Sequence, residues 1–125
     1  FYTDCYNANP SSMADALDAF DRSMPEGIAR FYVLGAMNEL GATAPTQHEA
    51  IGRLIKLRPE DRVAFVGSSE LTKAYAKAIS PQQYIRADSV EKIKSTIAQF
   101  QGAIFLKGSR NYSLEKLLPS TNSNP

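Results

Sequence analysis

The sequence predicts an α/β domain: a Rossmann-like, mostly parallel open sheet with helices on both faces. One observation predicts this fold class, and a second predicts a single domain. Short apolar runs alternate strictly with helical patterns of roughly ten to thirteen residues, which is typical of parallel strands joined by crossover helices. The chain has 125 residues, 43% of them hydrophobic, and a domain of that size can bury one core. We therefore expect a single domain.

The first predicted helix follows an opening strand and a turn that contains a proline. Ser11 and Ser12 are good N-cap residues, so a helix is expected from about residue 11 to residue 22. Its apolar residues recur at helical spacing: Met13, Ala16, Leu17 and Phe20. The β-rich run from Ile28 to Leu34 is then a buried strand, which Gly35 ends.

The middle of the chain repeats this alternation. Pro45 opens a second helix, and Arg58-Pro59 closes it before the strand Val63 to Val66. The inward residues of this helix are expected to be Ile51, Leu54 and Ile55. A third helix is predicted from about residue 70 to residue 79. Its apolar face consists of Leu71, Ala74, Tyr75 and Ala78.

The last third of the chain contains two predicted strands, Tyr84 to Ala87 and Ala103 to Leu106. Between them, Asp88 or Ser89 caps a fourth helix. Its inward residues are expected to be Val90, Ile93, Ile97 and Phe100. Leu114, Leu117 and Leu118 indicate a short terminal helix. We assign residues 1–118 to the domain and residues 119–125 to a flexible tail.

Composition argues against several kinds of partner. The net charge is +1, from 14 Lys and Arg against 13 Asp and Glu, so no strong field indicates nucleic acid or an anionic membrane. The apolar runs are far shorter than the roughly 20 residues of a bilayer span. Cys5 is the single cysteine and cannot form an internal disulfide, which favours the cytoplasm. Because so little of the first strand precedes Asp4, we expect a domain excised or proteolysed from a longer protein, with a mature N-terminus as the alternative.

The turn from Asp4 to Pro10 carries most of the chemistry of the chain. It lies between a strand and a helix, where open α/β sheets bind ligands. Asp4 can accept hydrogen bonds from ribose hydroxyls, and Tyr6 can flank a base. Asn7 and Asn9 can donate to phosphate near the positive end of the helix. Equally, these residues can simply cap the helix and turn the chain.

Three segments together resemble a known family. The first is Asp-Cys-Tyr-Asn-Ala-Asn-Pro at residues 4–10, followed by Ser-Met. The second runs from Val33 to Gly41, with His48 seven residues further on, and the third is Lys107 to Arg110 with Leu114-Glu115. They resemble the C-terminal domain of the Mur ligases, and most of all the members that add D-alanyl-D-alanine to UDP-N-acetylmuramoyl-tripeptide.

The resemblance implies a third domain that closes over a central ATPase domain. ATP would phosphorylate the tripeptide carboxylate, and the amine of D-alanyl-D-alanine would attack the acyl phosphate to give an amide, ADP and phosphate. Mg2+ would be held mainly by the central domain, which, like the N-terminal ligase domain, is missing from this chain. We expect no catalytic residue and no metal ligand here, and the isolated domain to be inactive.

The resemblance also implies roles for the residues of the first turn. Asp4 would hold the ribose. Tyr6, Asn7 and Asn9 would line the adenosine and phosphate side of the cleft, and Pro10 would fix the turn.

The other substrate-binding candidates follow later strands. Lys107, Ser109 and Arg110 would face the incoming dipeptide, since a guanidinium can bind a carboxylate through two hydrogen bonds. The alternative is that this segment is a solvated basic loop. Asn38 and Glu39 either touch substrate or order a long loop. We expect the first turn and the final basic loop to converge on one rim of the sheet.

Two residues are expected to have structural roles, and two depart from the family. His48 is a lone histidine in a helix and is expected to be a surface or hydrogen-bonded structural residue. Cys5 has no histidine near it in sequence, so an inert thiol is expected. The family usually has Asp at the position of Ala36 and commonly Gly at the position of Asn111, which leaves the role of that carboxylate open.

Two alternatives compete with this assignment. One is another ligase of the same superfamily, of the muramyl or folylpolyglutamate type, although the Asn-Ala-Asn portion of the turn argues against it. The other is a stand-alone nucleotide-binding or regulatory α/β module with a lysine after the last strand. Lys107 fits that pattern, but the third strand ends in Gly67-Ser68 with no phospho-acceptor Asp.

Overall fold

The computed structural model describes residues 2–4, 9–108 and 112–118, and describes Asp4 through its backbone alone. The strands in this part of the chain are β1 (Tyr2–Asp4), β2 (Arg30–Gly35), β3 (Arg62–Val66), β4 (Tyr84–Ala87) and β5 (Ala103–Lys107). They form one sheet in the order β1-β5-β2-β3-β4. Every neighbouring pair is parallel. The predicted parallel, Rossmann-like open sheet is confirmed.

Helices cover the two faces of the sheet unequally. They are α1 (Pro10–Ser23), α2 (Ala44–Leu54), α3 (Ser69–Ala76) and α4 (Lys94–Gln99). Shorter 3-10 segments occur at Gly41–Thr43, Pro81–Gln83, Val90–Lys92 and Leu114–Leu117. Among these described helices, none is both long enough and apolar enough to cross a membrane.

Two apolar clusters, one on each face, form the core. The first contains residues of α1, α2 and α3 packed on the sheet. It includes Met13, Leu17, Phe20, Tyr32, Leu34, Ile51, Phe65, Tyr75 and Phe105. The second contains residues of α4 and the last 3-10 segment. It includes Phe31, Val33, Val66, Val90, Ile93, Ile97, Leu106, Leu114 and Leu117. Side chains of one strand alternate between the clusters because successive residues point to opposite faces.

Three predicted helices end differently in the structure. The second was predicted to carry Leu54 inward, but it ends at Leu54, which is 47% exposed. Ile55 still reaches the core, from an extended conformation, so the apolar spacing continued past the helix end. The third helix ends at Ala76, and Ala78 is exposed. The fourth is divided into Val90–Lys92 and α4, although its inward residues are buried or half-buried as expected.

A charged network occupies the end of the sheet where the strands begin, here called the amino edge. Asp61 is completely buried and accepts hydrogen bonds from the Arg30 backbone N–H (3.0 Å) and from Arg58 N (3.0 Å), Nε (2.9 Å) and Nη2 (3.0 Å). Asp21 accepts from Arg30 Nη1 at 3.1 Å and from the Tyr32 hydroxyl at 2.6 Å. Burial alone raises the pKa of Asp61, but the hydrogen bonds from Arg58 and Arg30 outweigh burial and hold that pKa below its usual range.

Candidate functional site

The carboxyl ends of β1 and β5 lie side by side. Asp4 pairs with Lys107 in the parallel register, and Lys107 pairs on its other side with Leu34 of β2. The chain therefore leaves β1 and β5 from neighbouring positions on one edge, here called the carboxyl edge. Residues 5–8 and 109–111 follow these two positions.

Several of the predicted site residues belong to those two segments. Tyr6, Asn7, Ser109 and Arg110 lie outside the described residues, so the roles assigned to their side chains stay predictions. The same holds for the side chain of Asp4.

Asn9 is the N-cap of α1. Its side-chain oxygen accepts from the Ser12 backbone N–H at 2.9 Å, and the Ser12 hydroxyl is 3.2 Å from the Asn9 backbone nitrogen, which completes a capping box. Pro10 occupies the first helical turn, where its missing N–H costs no hydrogen bond. Asn9 thus performs the capping role that the sequence offered as one alternative, and its amide nitrogen is a separate donor group.

Lys107 differs from the loop residue that the sequence predicted. It is the last residue of β5 and is 1% exposed. Alternation along the strand places its side chain on the same face as Phe105, toward the first cluster. A lysine is rarely buried unless its ammonium group has partners, so Lys107 belongs to the interior of the carboxyl edge.

The backbones of β2 and β5 approach closely at this edge. A methyl group added at Gly35 would lie 3.1 Å from the Gly108 Cα and 3.1 Å from the ring of Tyr112. Next to Gly35, the fully buried Ala36 donates its N–H to Val66 O at 2.8 Å and extends the ladder with β3. Glycine at both crossing positions is what allows this approach.

The loop between β2 and α2 contains the next two candidates. Asn38 is half-buried and Glu39 is exposed. Glu39 has a φ of 63°, the left-handed conformation that a non-glycine residue adopts at a cost. Both residues lie just beyond the carboxyl end of β2, as predicted, and whether they touch substrate stays a prediction.

His48 is fully buried and hydrogen-bonded at both ring nitrogens. Its Nε2 lies 2.8 Å from Met37 N, and its Nδ1 lies 2.6 Å from Ala44 O. A backbone N–H can only donate, so Nε2 accepts and the ring proton is on Nδ1, which donates to Ala44. Burial lowers the pKa of His48, which favours this neutral form. The expected hydrogen-bonded structural histidine agrees with these contacts.

An open crevice of about 230 Å³ lies further along the carboxyl edge, between β3 and β4. After β3 the chain enters α3, which packs in the first cluster, whereas after β4 it enters the segment that packs in the second cluster. Its lining includes Ser69, Thr72, Arg86, Asp88 and Lys92, and Lys92 pairs with Asp88 at 3.0 Å. Of the predicted site residues whose side chains the structure describes, none is among its lining residues.

The sequence matches the family model "Mur ligase, glutamate ligase domain" over residues 1–110. The chain belongs to this family. The match includes β1, β5 and residues 5–8, which connect β1 to the start of α1.

Individual relatives in the Mur ligase family are similar over most of the chain. A UDP-N-acetylmuramoyl-tripeptide--D-alanyl-D-alanine ligase of Treponema pallidum is 34% identical over 125 residues, covering 95% of this chain and 27% of that protein. The ligase with the same name from Escherichia coli is 31% identical over 122 residues, covering 97% of this chain and 26% of that protein. The chain thus spans about a quarter of the length of these relatives.

Solved structures of Mur ligases share the fold. A crystal structure of MurF from Acinetobacter baumannii superposes with a TM-score of 0.70 at 28% identity, covering 91% of this chain and 26% of that one. A crystal structure of MurF ligase from Thermotoga maritima in complex with ADP gives a TM-score of 0.65 at 27% identity, covering 90% of this chain and 25% of that one.

Tyr75 is a polar residue at the carboxyl edge that the sequence did not indicate. It was predicted as a core residue of the third helix, and it is fully buried. Its hydroxyl donates to Gly35 O at 2.7 Å, at the carboxyl edge. The available signal was chemical, because a buried tyrosine usually needs a partner for its hydroxyl. The identity of that partner, 40 residues away, could not be read from the sequence.

Proposed function

We propose that this chain is the C-terminal domain of an ATP-dependent ligase that joins D-alanyl-D-alanine to UDP-N-acetylmuramoyl-tripeptide through an acyl phosphate, in peptidoglycan precursor synthesis. The observation that carries the proposal is the pairing of Asp4 with Lys107. It brings the end of the predicted nucleotide strand beside the end of the predicted dipeptide strand. The names of the similar ligases support the same reaction.

In this proposal the chain binds and orients reactants, while the chemistry needs the central domain. Asp4 holds the ribose of ATP, and Tyr6, Asn7 and Asn9 line the adenosine and phosphate side. ATP supplies the phosphoryl group that activates the tripeptide carboxylate. Correct placement of two reactants can lower a barrier by roughly 7 to 11 kcal/mol, so a domain without a catalytic residue can still be essential.

The dipeptide side of the cleft uses the other strand ends. Ser109 and Arg110 grip the carboxylate of D-alanyl-D-alanine, next to the buried Lys107. Asn38 and Glu39 approach from the neighbouring β2 end. The N-terminal and central domains of the full-length protein supply the site for UDP-N-acetylmuramoyl-tripeptide and most of the Mg2+ ligands.

The test is steady-state kinetics of the full-length protein, following phosphate release and formation of the amide. We expect turnover with ATP, UDP-N-acetylmuramoyl-tripeptide and D-alanyl-D-alanine together. Asp4→Ala removes the proposed ribose acceptor and should raise KM for ATP at least tenfold, with a much smaller change in KM for the dipeptide. The matched control is Asp18→Asn, an exposed carboxylate on α1 that pairs with Arg22 at 2.9 Å.

Two results would contradict the proposal. Unchanged ATP kinetics in Asp4→Ala would remove Asp4 from the nucleotide site. Turnover with a single amino acid or a folate acceptor, and none with D-alanyl-D-alanine, would indicate another ligase of the superfamily.

A further inference from the structure

At the end of β2, two backbone groups form hydrogen bonds with side chains of α2 and α3. Beyond Ala36, whose N–H extends the ladder to β3, the chain leaves the sheet. The Gly35 carbonyl accepts from the Tyr75 hydroxyl at 2.7 Å, and the Met37 N–H donates to His48 Nε2 at 2.8 Å. Two side chains from α2 and α3 therefore hold the backbone on either side of Ala36.

These two side chains also contact each other. The rings of His48 and Tyr75 meet edge to face, with centroids 4.6 Å apart. Tyr75 stacks on Phe65 of β3 at 4.8 Å. His48 is tied to its own helix through Ala44 O at 2.6 Å. The pair thus connects β2, β3 and the first turn of α2, and both of its members are completely buried.

A close backbone contact keeps the two helices in this position. A methyl group added at Gly52 of α2 would overlap the carbonyl oxygen of Tyr75 on α3. Glycine at this position lets α3 approach α2 closely enough for the Tyr75 hydroxyl to reach Gly35. The geometry of the pair therefore depends on the packing of α2 against α3.

We infer that His48, supported by Tyr75, is a positioning residue for binding of the incoming dipeptide. The Met37 N–H that His48 holds is followed directly by Asn38 and by Glu39 in its left-handed conformation. A residue keeps such a conformation when the surrounding structure fixes it. The neutral imidazole acts as a hydrogen-bond acceptor for the loop and touches no substrate. This inference rests on the proposed function, because it requires that the loop faces the dipeptide.

The experiment uses full-length ligase with substitutions at the pair. His48→Leu fills the space but removes the acceptor of the Met37 N–H. We expect KM for D-alanyl-D-alanine to rise at least tenfold, while KM for ATP changes less than threefold. His48→Gln returns an acceptor and should recover part of the loss. Tyr75→Phe removes a single hydroxyl and should raise KM for the dipeptide about threefold to tenfold.

The control is Gln47→Ala, next to His48 on α2. Gln47 donates to the Thr43 hydroxyl at 3.0 Å, and this hydrogen bond stays within the start of α2 and the 3-10 segment before it. We expect wild-type values of both KM constants. Circular dichroism checks that each variant is folded. If His48→Leu does not fold, Tyr75→Phe decides the question.

Two results overturn the inference. One is that folded His48→Leu and Tyr75→Phe both keep KM for the dipeptide within twofold of Gln47→Ala. The other is that KM for ATP and for the dipeptide rise equally, which indicates a general loss of structure. Failure of the proposed function is recognised separately, because the wild-type protein would then show no turnover with D-alanyl-D-alanine.

Discussion

The two edges of the sheet are built from different chemistry. At the amino edge, Asp61 is buried among hydrogen bonds from Arg58 and from the Arg30 backbone. At the carboxyl edge, the contacts that hold the end of β2 are neutral. Gly35 approaches Gly108, and uncharged side chains bind the backbone of β2.

This difference separates stability from function. The amino-edge network joins the loops before β2 and β3. Its charged groups bind one another and stabilise the fold. The carboxyl edge holds the backbone of β2 with neutral groups, and two charged residues that we propose for ATP and dipeptide, Asp4 and Lys107, are the last residues of β1 and β5. Substitutions at the two edges should therefore differ in whether they change stability or substrate binding.

The largest effect on stability is expected for Asp61→Ala. It removes the acceptor of four hydrogen bonds and leaves the buried Arg30 N–H without its partner. Leaving a buried donor without its acceptor typically costs about 1 to 3 kcal/mol, and more where a charged group such as Arg58 loses its carboxylate. We expect a loss of that size in the free energy of unfolding, measured by urea denaturation, and no change in KM for either substrate in folded full-length protein.

The control for this variant is Glu60→Gln in the same loop. Glu60 is half-exposed and lies 3.5 Å from Arg58, so its loss should cost less than about 0.5 kcal/mol. An Asp61→Ala variant no less stable than Glu60→Gln would contradict the role given to the amino-edge network.

Gly35→Ala at the carboxyl edge should differ from Asp61→Ala by changing substrate binding as well as stability. The added methyl group would lie 3.1 Å from Gly108 and from Tyr112, so β2 and β5 must separate slightly. Overpacking of this kind costs about 1 to 3 kcal/mol. In full-length protein, we expect KM for D-alanyl-D-alanine to rise by more than the change seen with Asp61→Ala. Equal KM values in the two variants would remove the distinction between the edges.

The smallest expected effect is a difference in pH dependence between the edges. The pKa of His48 is lowered by burial, so the unfolded chain binds the proton first and stability falls as pH drops below about 6.5. The pKa of Asp61 is also lowered, and its contribution is lost in the same direction, but only below about pH 4. One group changes stability by at most about 1.4 kcal/mol per pH unit.

Urea midpoints measured from pH 8 to pH 5 test this prediction. His48 is the single histidine of the chain, so His48→Gln should flatten the curve between pH 6.5 and pH 5. A slope that persists in His48→Gln would assign the titration to another group.

Much of the fold could be predicted because strand and helix patterns are local. The strand Tyr84–Ala87 has the predicted bounds, and α1 differs from its prediction by one residue at each end. Errors arose where an apolar residue reaches the core without being helical, as Ile55 does. There the hydrophobic spacing reports burial, which is a property of tertiary packing.

The site was less predictable than the fold. Parallel strands place all their carboxyl ends at one edge, so a common rim could be expected, but the adjacency of β1 and β5 depends on the strand order. Partners such as Tyr75 and Gly35 are distant in sequence. From the sequence, Arg58 was predicted only to lie where the second helix ends. Its hydrogen bonds to Asp61 and to the Ile28 carbonyl depend on the folded arrangement of the loops.

The strand order also sets a constraint on the order of assembly during synthesis. Among the five described strands, β1 is the first to be translated, yet its partner in the sheet is β5, with Tyr2 opposite Phe105. Strands β2, β3 and β4 can pair among themselves before that, whereas β1 must wait for nearly the whole domain to be translated. A nascent chain that stops before β5 therefore has no place in the sheet for the segment that leads to Asp4.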